Sequence, residues 1–83
     1  MATEELLADR NKTHGDYRAQ AFRCQEIKKV FAEGSNWGKL TTTQIDALEM
    51  IAVKISRILE GNPHERDHWE DTAGYATLAA KLL

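Results

Sequence analysis

Apolar residues recur at helical spacing along nearly the whole chain, and no sustained period-two alternation competes with them. The pattern predicts four helices and no sheet. The first is short, roughly Glu4 to Lys12, with Thr3 placed to cap it and Glu4 and Glu5 where the helix dipole favours negative charge. Gly15 turns the chain, and Asp16 is placed to cap a second helix that runs to about Ala32. Ala21, Cys24, Ile27, Val30 and Phe31 give that helix an inner face, with Phe22 off the stripe.

Gly34 to Lys39 reads as a loop whose Trp37 folds back onto the core. The third helix carries the clearest start signal: Thr41-x-x-Gln44 has the form of a capping box, and Leu40 with Ile45 that of a hydrophobic staple. Ile45, Leu48, Ile51, Ala52, Ile55, Ile58 and Leu59 form a broad apolar stripe, which Met50 and Val53 widen toward a second face. A helix apolar on two sides contacts two neighbours, or one neighbour and a second subunit. Gly61, Asn62 and Pro63 end it.

The last helix has two competing starts, Asn62–Pro63 with Glu65 or Asp67 with Glu70. From there Trp69, Ala73, Ala76, Ala80 and Leu83 share one face, and Tyr75, Leu78 and Leu82 the adjacent one. Gly74 and the alanines leave room for close helix packing or for a ligand. The expected architecture is a compact all-α bundle of about four helices in one domain spanning 1–83.

Size changes the picture. Eighty-three residues bury a low fraction of their surface, so self-association into a homo-oligomer is expected to supply stability. Cys24 is the only cysteine, which excludes an internal disulfide framework and fits a reducing, cytoplasmic setting. On the apolar stripe it reads as an inert core residue. No apolar run approaches the ~20 residues a bilayer span needs, and the acidic start does not read as a signal peptide. The net charge of −2 argues against duplex DNA as a partner.

Three constellations suit the recognition of an anion or a base. His68, Asp71 and Tyr75 recur at i, i+3 and i+7 on one helix, where they read either a polar ligand or the ordinary fittings of a helix start. Lys54 and Arg57 lie on the edge of an apolar stripe, where they pair with an acid such as Asp71 or bind a phosphate. Arg10, His14 and Asp16 flank Gly15, and Asp16 serves as an N-cap or faces an anion there.

Metal chemistry has weaker support. His64, His68 and Asp71 would share a face only if His64 is helical. Magnesium would need convergence of carboxylates such as Glu26, Glu49, Glu70 and Asp71, and Glu70 and Asp71 are adjacent, so they point to different faces. Ser35 and Ser56 have no obvious base beside them.

Taken together, Arg10-x-x-x-His14–Gly15–Asp16–Tyr17, Lys54-x-x-Arg57 and Asp67-x-Trp69-x-Asp71-x-x-Gly74–Tyr75 resemble a family of short all-helical proteins encoded by bacteriophages and prophages. The resemblance spans nearly the whole chain. It implies an all-α fold and a phage origin, and it delivers no activity. The helical layout is also similar to MazG-like nucleotide pyrophosphohydrolases, which use magnesium, but their paired Glu-x-x-Glu/Asp motif is not evident here. A further analogy is with small phage anti-defence proteins that sequester nucleotide immune signals between subunits.

The expected function is therefore non-catalytic binding of a nucleotide or cyclic nucleotide, without a cofactor, in the cytoplasm of a host bacterium. Arg10, Lys54 and Arg57 would neutralise phosphate. His14, Asp16, His68 and Asp71 would read polar edges, and Trp69 or Tyr75 would stack on a base, with Tyr17 beside them. The alternatives are a magnesium-dependent nucleotide hydrolase and a protein-interaction inhibitor of a host enzyme, whose polar residues would form a structural network.

Overall fold

A computed structural model describes residues 2–83. It is all-α: α1 spans Ala2–His14, α2 Tyr17–Ala32, α3 Thr42–Glu60 and α4 Arg66–Lys81, with a short 3-10 turn over Trp37–Lys39. Among the described residues no helix is long and apolar enough to cross a membrane.

α3 is the central element, packed against α4 on one side and α2 on the other. Its two-sided apolar surface dictates this, as Met50 and Val53 predict. Thr41 caps it: its hydroxyl accepts the Gln44 N–H at 3.2 Å, and the Gln44 side chain accepts the Thr41 N–H at 2.9 Å. Asp16 caps α2 by accepting the Ala19 N–H at 3.1 Å. Trp37 is half-buried, its ring 5.8 Å from that of Phe31, so the loop does fold back.

Four sequence expectations need correction. α1 begins at Ala2, so Thr3 lies within the helix and does not cap it. Val30 is exposed, because the inner face of α2 is carried by Gln20, Cys24 and their neighbours. α4 begins at Arg66 after Glu65, which makes no side-chain cap. Asn62 instead accepts the His64 N–H at 2.9 Å in a tight turn, and Asp67 sits in the first helical turn.

The fourth correction concerns which face of α4 packs. His68, Thr72, Tyr75 and Ala79 face α3, one turn apart along the helix. The Trp69, Ala73, Ala76 and Ala80 face is exposed. A Cβ on Gly74 would meet nothing within 4 Å, so no helix of this chain uses the space it leaves.

The core is thin. Among the described residues its buried apolar side chains are Cys24, Ala47 and Ala52, all small, and α1 contributes only the half-buried Thr13 and His14 at its end. The molecule is elongated, 45 × 25 × 22 Å, with a radius of gyration of 14.2 Å. A compact domain of this length would have about 12 Å.

Candidate functional site

The site begins with a backbone junction. Gly15 has φ +81°, a conformation that favours glycine. A Cβ there would overlap the Glu60 carbonyl, and a Cβ on Gly61 would overlap the Thr13 carbonyl. The α1–α2 turn and the end of α3 therefore touch backbone to backbone. The Thr13 carbonyl accepts two hydrogen bonds, from the Asn62 N–H at 3.0 Å and from His68 Nε2 at 2.7 Å. Three segments meet on that one oxygen: the end of α1, the end of α3 and the start of α4.

His68 is only 2% exposed. Because its partner is a carbonyl, Nε2 carries the proton, which fixes the tautomer and ring orientation. Its ring packs edge-on against His14, centroids 5.2 Å apart and planes at 86°. The imidazole is therefore no ordinary fitting of a helix start: it is an internal tie between α4 and α1.

Beside this junction lies a small polar cleft of about 210 Å³, lined by Thr13, His14, Lys54, Arg57, Glu65, Asp67, His68 and Asp71. Lys54, its side chain 11% exposed, pairs with Asp71 at 3.0 Å. A near-buried ammonium needs such a partner, since desolvation of an unpaired charge costs several kcal/mol. The pairing expected from sequence is what the molecule makes.

Arg57 is less provided for. Its Nε is shielded from solvent and has no hydrogen-bond partner among the described residues. A shielded N–H of this kind costs about 1–3 kcal/mol while unpaired. Burial pushes the guanidinium pKa down, and nearby Arg10 adds to the effect; Asp71, Cys24 and Tyr75 oppose it.

His14 has a pKa lowered to about 4, first by burial and then by the positive charges of Arg57, Arg10 and Lys54, with His68 contributing. It is therefore neutral at pH 7. The Thr13 hydroxyl has one proton and two partners, the Arg10 carbonyl at 3.1 Å and His14 Nδ1. When the hydroxyl donates to the carbonyl, Nδ1 donates to Thr13 Oγ1 and His14 Nε2 presents its lone pair.

Of the residues singled out in the sequence, His14, Lys54, Arg57, His68 and Asp71 line one cleft. Arg10 stands exposed on α1, outside its wall but close enough to lower the pKa of both His14 and Arg57. Asp16 is occupied as an N-cap, and Tyr17 is exposed at the start of α2.

Trp69 is 56% exposed, its indole N–H donating to the Pro63 carbonyl at 2.8 Å, and it lies away from the cleft. Tyr75 lines a separate apolar groove at the other end of the α3–α4 seam. Neither ring lines the cleft, where a stacked base was expected.

His64 precedes α4, so the helical spacing required for a His64–His68 metal pair does not exist. No three His, Cys, Asp or Glu residues among those described converge as a metal site. Sequence reasoning missed Thr13, Glu65 and Asp67, the last of which it read as a helix cap. The Thr13 role is carried mainly by its carbonyl, which has no side-chain signature. Glu65 lies at the helix boundary that the sequence left ambiguous.

No curated protein and no solved structure matches the chain. A family model described as Domain of unknown function (DUF6378) matches residues 1–83. That match covers every residue, motifs and linkers alike, and the chain belongs to the DUF6378 family.

Proposed function

We propose that this protein is a non-catalytic, self-associating nucleotide-binding protein whose cleft receives the phosphate of a nucleotide or cyclic nucleotide. The observation that carries this reading is Arg57, whose Nε lacks a partner, lining a cleft beside Lys54, a neutral His14 and the carboxylates Glu65, Asp67 and Asp71, the last of which is paired with Lys54. An anion there would pair with the guanidinium, and a turn of the Arg57 side chain would bring its shielded Nε to the ligand. Charge-assisted hydrogen bonds from arginine to phosphate are the strong class of such bonds.

Volume supports a phosphate in place of a whole ligand. About 210 Å³ falls below the ~300–1,000 Å³ of pockets that enclose complete small molecules. Sugar and base would extend beyond the cleft, toward solvent or a second subunit. His68, tied to the Thr13 carbonyl, acts in this reading by positioning the wall and not by touching ligand.

Sequestration of a nucleotide signal by a phage-encoded protein is the biological form of the proposal. It rests on the sequence resemblance, and retention of a nucleotide on protein purified from infected cells is its test. A magnesium-dependent hydrolase gains nothing from the geometry, since no metal-ligating cluster forms among the described residues.

The binding test is thermal stability against a panel of nucleotides and cyclic dinucleotides at millimolar concentration. A ligand at 100 times its Kd stabilises the folded state by about 2.7 kcal/mol, an easily measured rise in Tm. No shift with any member of the panel refutes the proposal. Intact nucleotide recovered after incubation with magnesium supports binding alone; released pyrophosphate supports the hydrolase.

A further inference from the structure

We infer that a second copy of this chain docks its α1 helix into the apolar groove between the start of α3 and the end of α4. This deepens the self-association proposed above and is independent of what the cleft binds. Two surfaces carry it, and neither is satisfied within one molecule.

The first surface is α1. All of its described residues up to Lys12 are exposed, and only Thr13 and His14 at its root are half-buried. Helices shorter than ~12–15 residues are marginal in water without tertiary packing. Leu6 and Leu7, with Thr3, Arg10 and Thr13, form a face at three-to-four spacing. That face opens onto a hollow of about 520 Å³ whose described lining residues all belong to α1.

The second surface is the groove, about 580 Å³, with Ala47, Tyr75, Leu78, Ala79 and Leu82 among its walls. Leu78 and Leu82 are more than half exposed. Asp46 and Lys81 also line it and give it one charge of each sign. A helix laid in such a groove presents anchors at i, i+3, i+4 and i+7, the spacing at which Thr3, Leu6, Leu7 and Arg10 occur.

Reach and area agree. The root of α1 is fixed at the polar cleft by Thr13, while the groove lies at the opposite end of the α3–α4 seam. No described α1 residue lines the groove of its own chain, so the helix that fills it would come from a second copy, and a two-fold axis would make the exchange reciprocal. At ~1.5 Å per residue α1 is about 20 Å long, and the cleft and groove are roughly 16 Å apart along α3.

The exposed surface of Leu6, Leu7, Leu78 and Leu82 amounts to roughly 450 Å² a copy. A reciprocal pair would bury about 900 Å² from these side chains, and Thr3, Arg10 and the remaining groove walls would add to it toward the ~1,200 Å² of a stable interface. The arrangement also accounts for the elongated single copy and its thin core.

The test uses the full chain in two parts. Sedimentation should give a dimer at micromolar concentration, and Leu7→Glu or Leu82→Glu should each weaken it at least tenfold with helical content by circular dichroism unchanged. A tagged Leu6→Cys variant mixed with untagged Leu78→Cys, both in a Cys24→Ala background, should form a covalent heterodimer on mild oxidation.

A monomer at every concentration overturns both this inference and the self-association proposal. A dimer that neither glutamate variant weakens, and that gives no heterodimer, overturns the α1–groove contact alone. Should a glutamate variant lose its helicity, the crosslinking result decides.

Discussion

The two ends of the α3–α4 seam are built on opposite principles. At one end Gly15, Gly61, Thr13 and His68 lock three chain segments together through backbone contact and hydrogen bonds, and charged side chains surround a cleft too small for a whole ligand. At the other end apolar side chains stand apart around an open groove, and the hydrogen bonds there, such as the Thr41–Gln44 capping box, stay local to one helix. The polar end is over-determined, as a site that must hold donors in place requires. The apolar end is under-packed, as a surface awaiting a partner would be.

The largest test of this contrast is at the glycines. Gly15→Ala and Gly61→Ala each drive a Cβ into backbone, and Gly15 adds a positive φ. Each should cost about 3 kcal/mol or more, measured by urea unfolding. Gly74→Ala, where a Cβ meets nothing, should stabilise α4 by about 0.5–1 kcal/mol. Equal effects at Gly15 and Gly74 would dissolve the distinction between a locked end and an open one.

Next in size is the ion pair. Asp71→Ala leaves the near-buried Lys54 without its carboxylate. Asp71 is itself half exposed, so water offsets part of the loss and about 1–3 kcal/mol is expected. A double-mutant cycle with Lys54→Met should recover most of it. Additive losses would show that the two side chains do not act as a pair.

A shallower effect is expected in pH. The folded pKa of His14, about 4, lies below its ordinary value of 6.5. Between these values the unfolded chain binds the proton and the folded one does not, so stability falls as pH drops from 6.5 toward 4. His14→Asn should flatten that window in a series of unfolding curves. A bound anion should raise the His14 pKa, because it opposes the cations that depress it. Persistence of the full slope in the variant would place its origin elsewhere.

Much of the fold was legible because local signals sufficed. The Thr41–Gln44 capping box, the Asp16 cap and the two-sided stripe of α3 all depend on residues close in sequence. The orientation of α4 was not legible. Its Trp69–Ala80 face is more uniformly apolar in sequence than the His68–Thr72–Tyr75–Ala79 face that packs. The packing face is chosen by long-range contacts, His68 to Thr13 and Asp71 to Lys54, which no local pattern encodes.

The same limit applies to the site. The sequence brought forward His14, Lys54, Arg57, His68 and Asp71 by residue type and spacing, and these line the cleft. It assigned Asp16 and Trp69 to the same pocket because polar and aromatic residues near a glycine or a helix start look alike whether they bind or merely cap. Only the fold separates the Asp16 cap and the Trp69–Pro63 contact from the cleft itself.

The central claim is that Arg57 Nε waits for an anionic oxygen, and its own N–H resonance reports on that most directly. In ¹H–¹⁵N spectra of the arginine Nε–H groups, addition of a binding nucleotide should move the Arg57 signal downfield. Arg57→Lys should remove the signal and weaken binding about tenfold or more. A nucleotide that binds while the Arg57 resonance stays unmoved would contradict the claim.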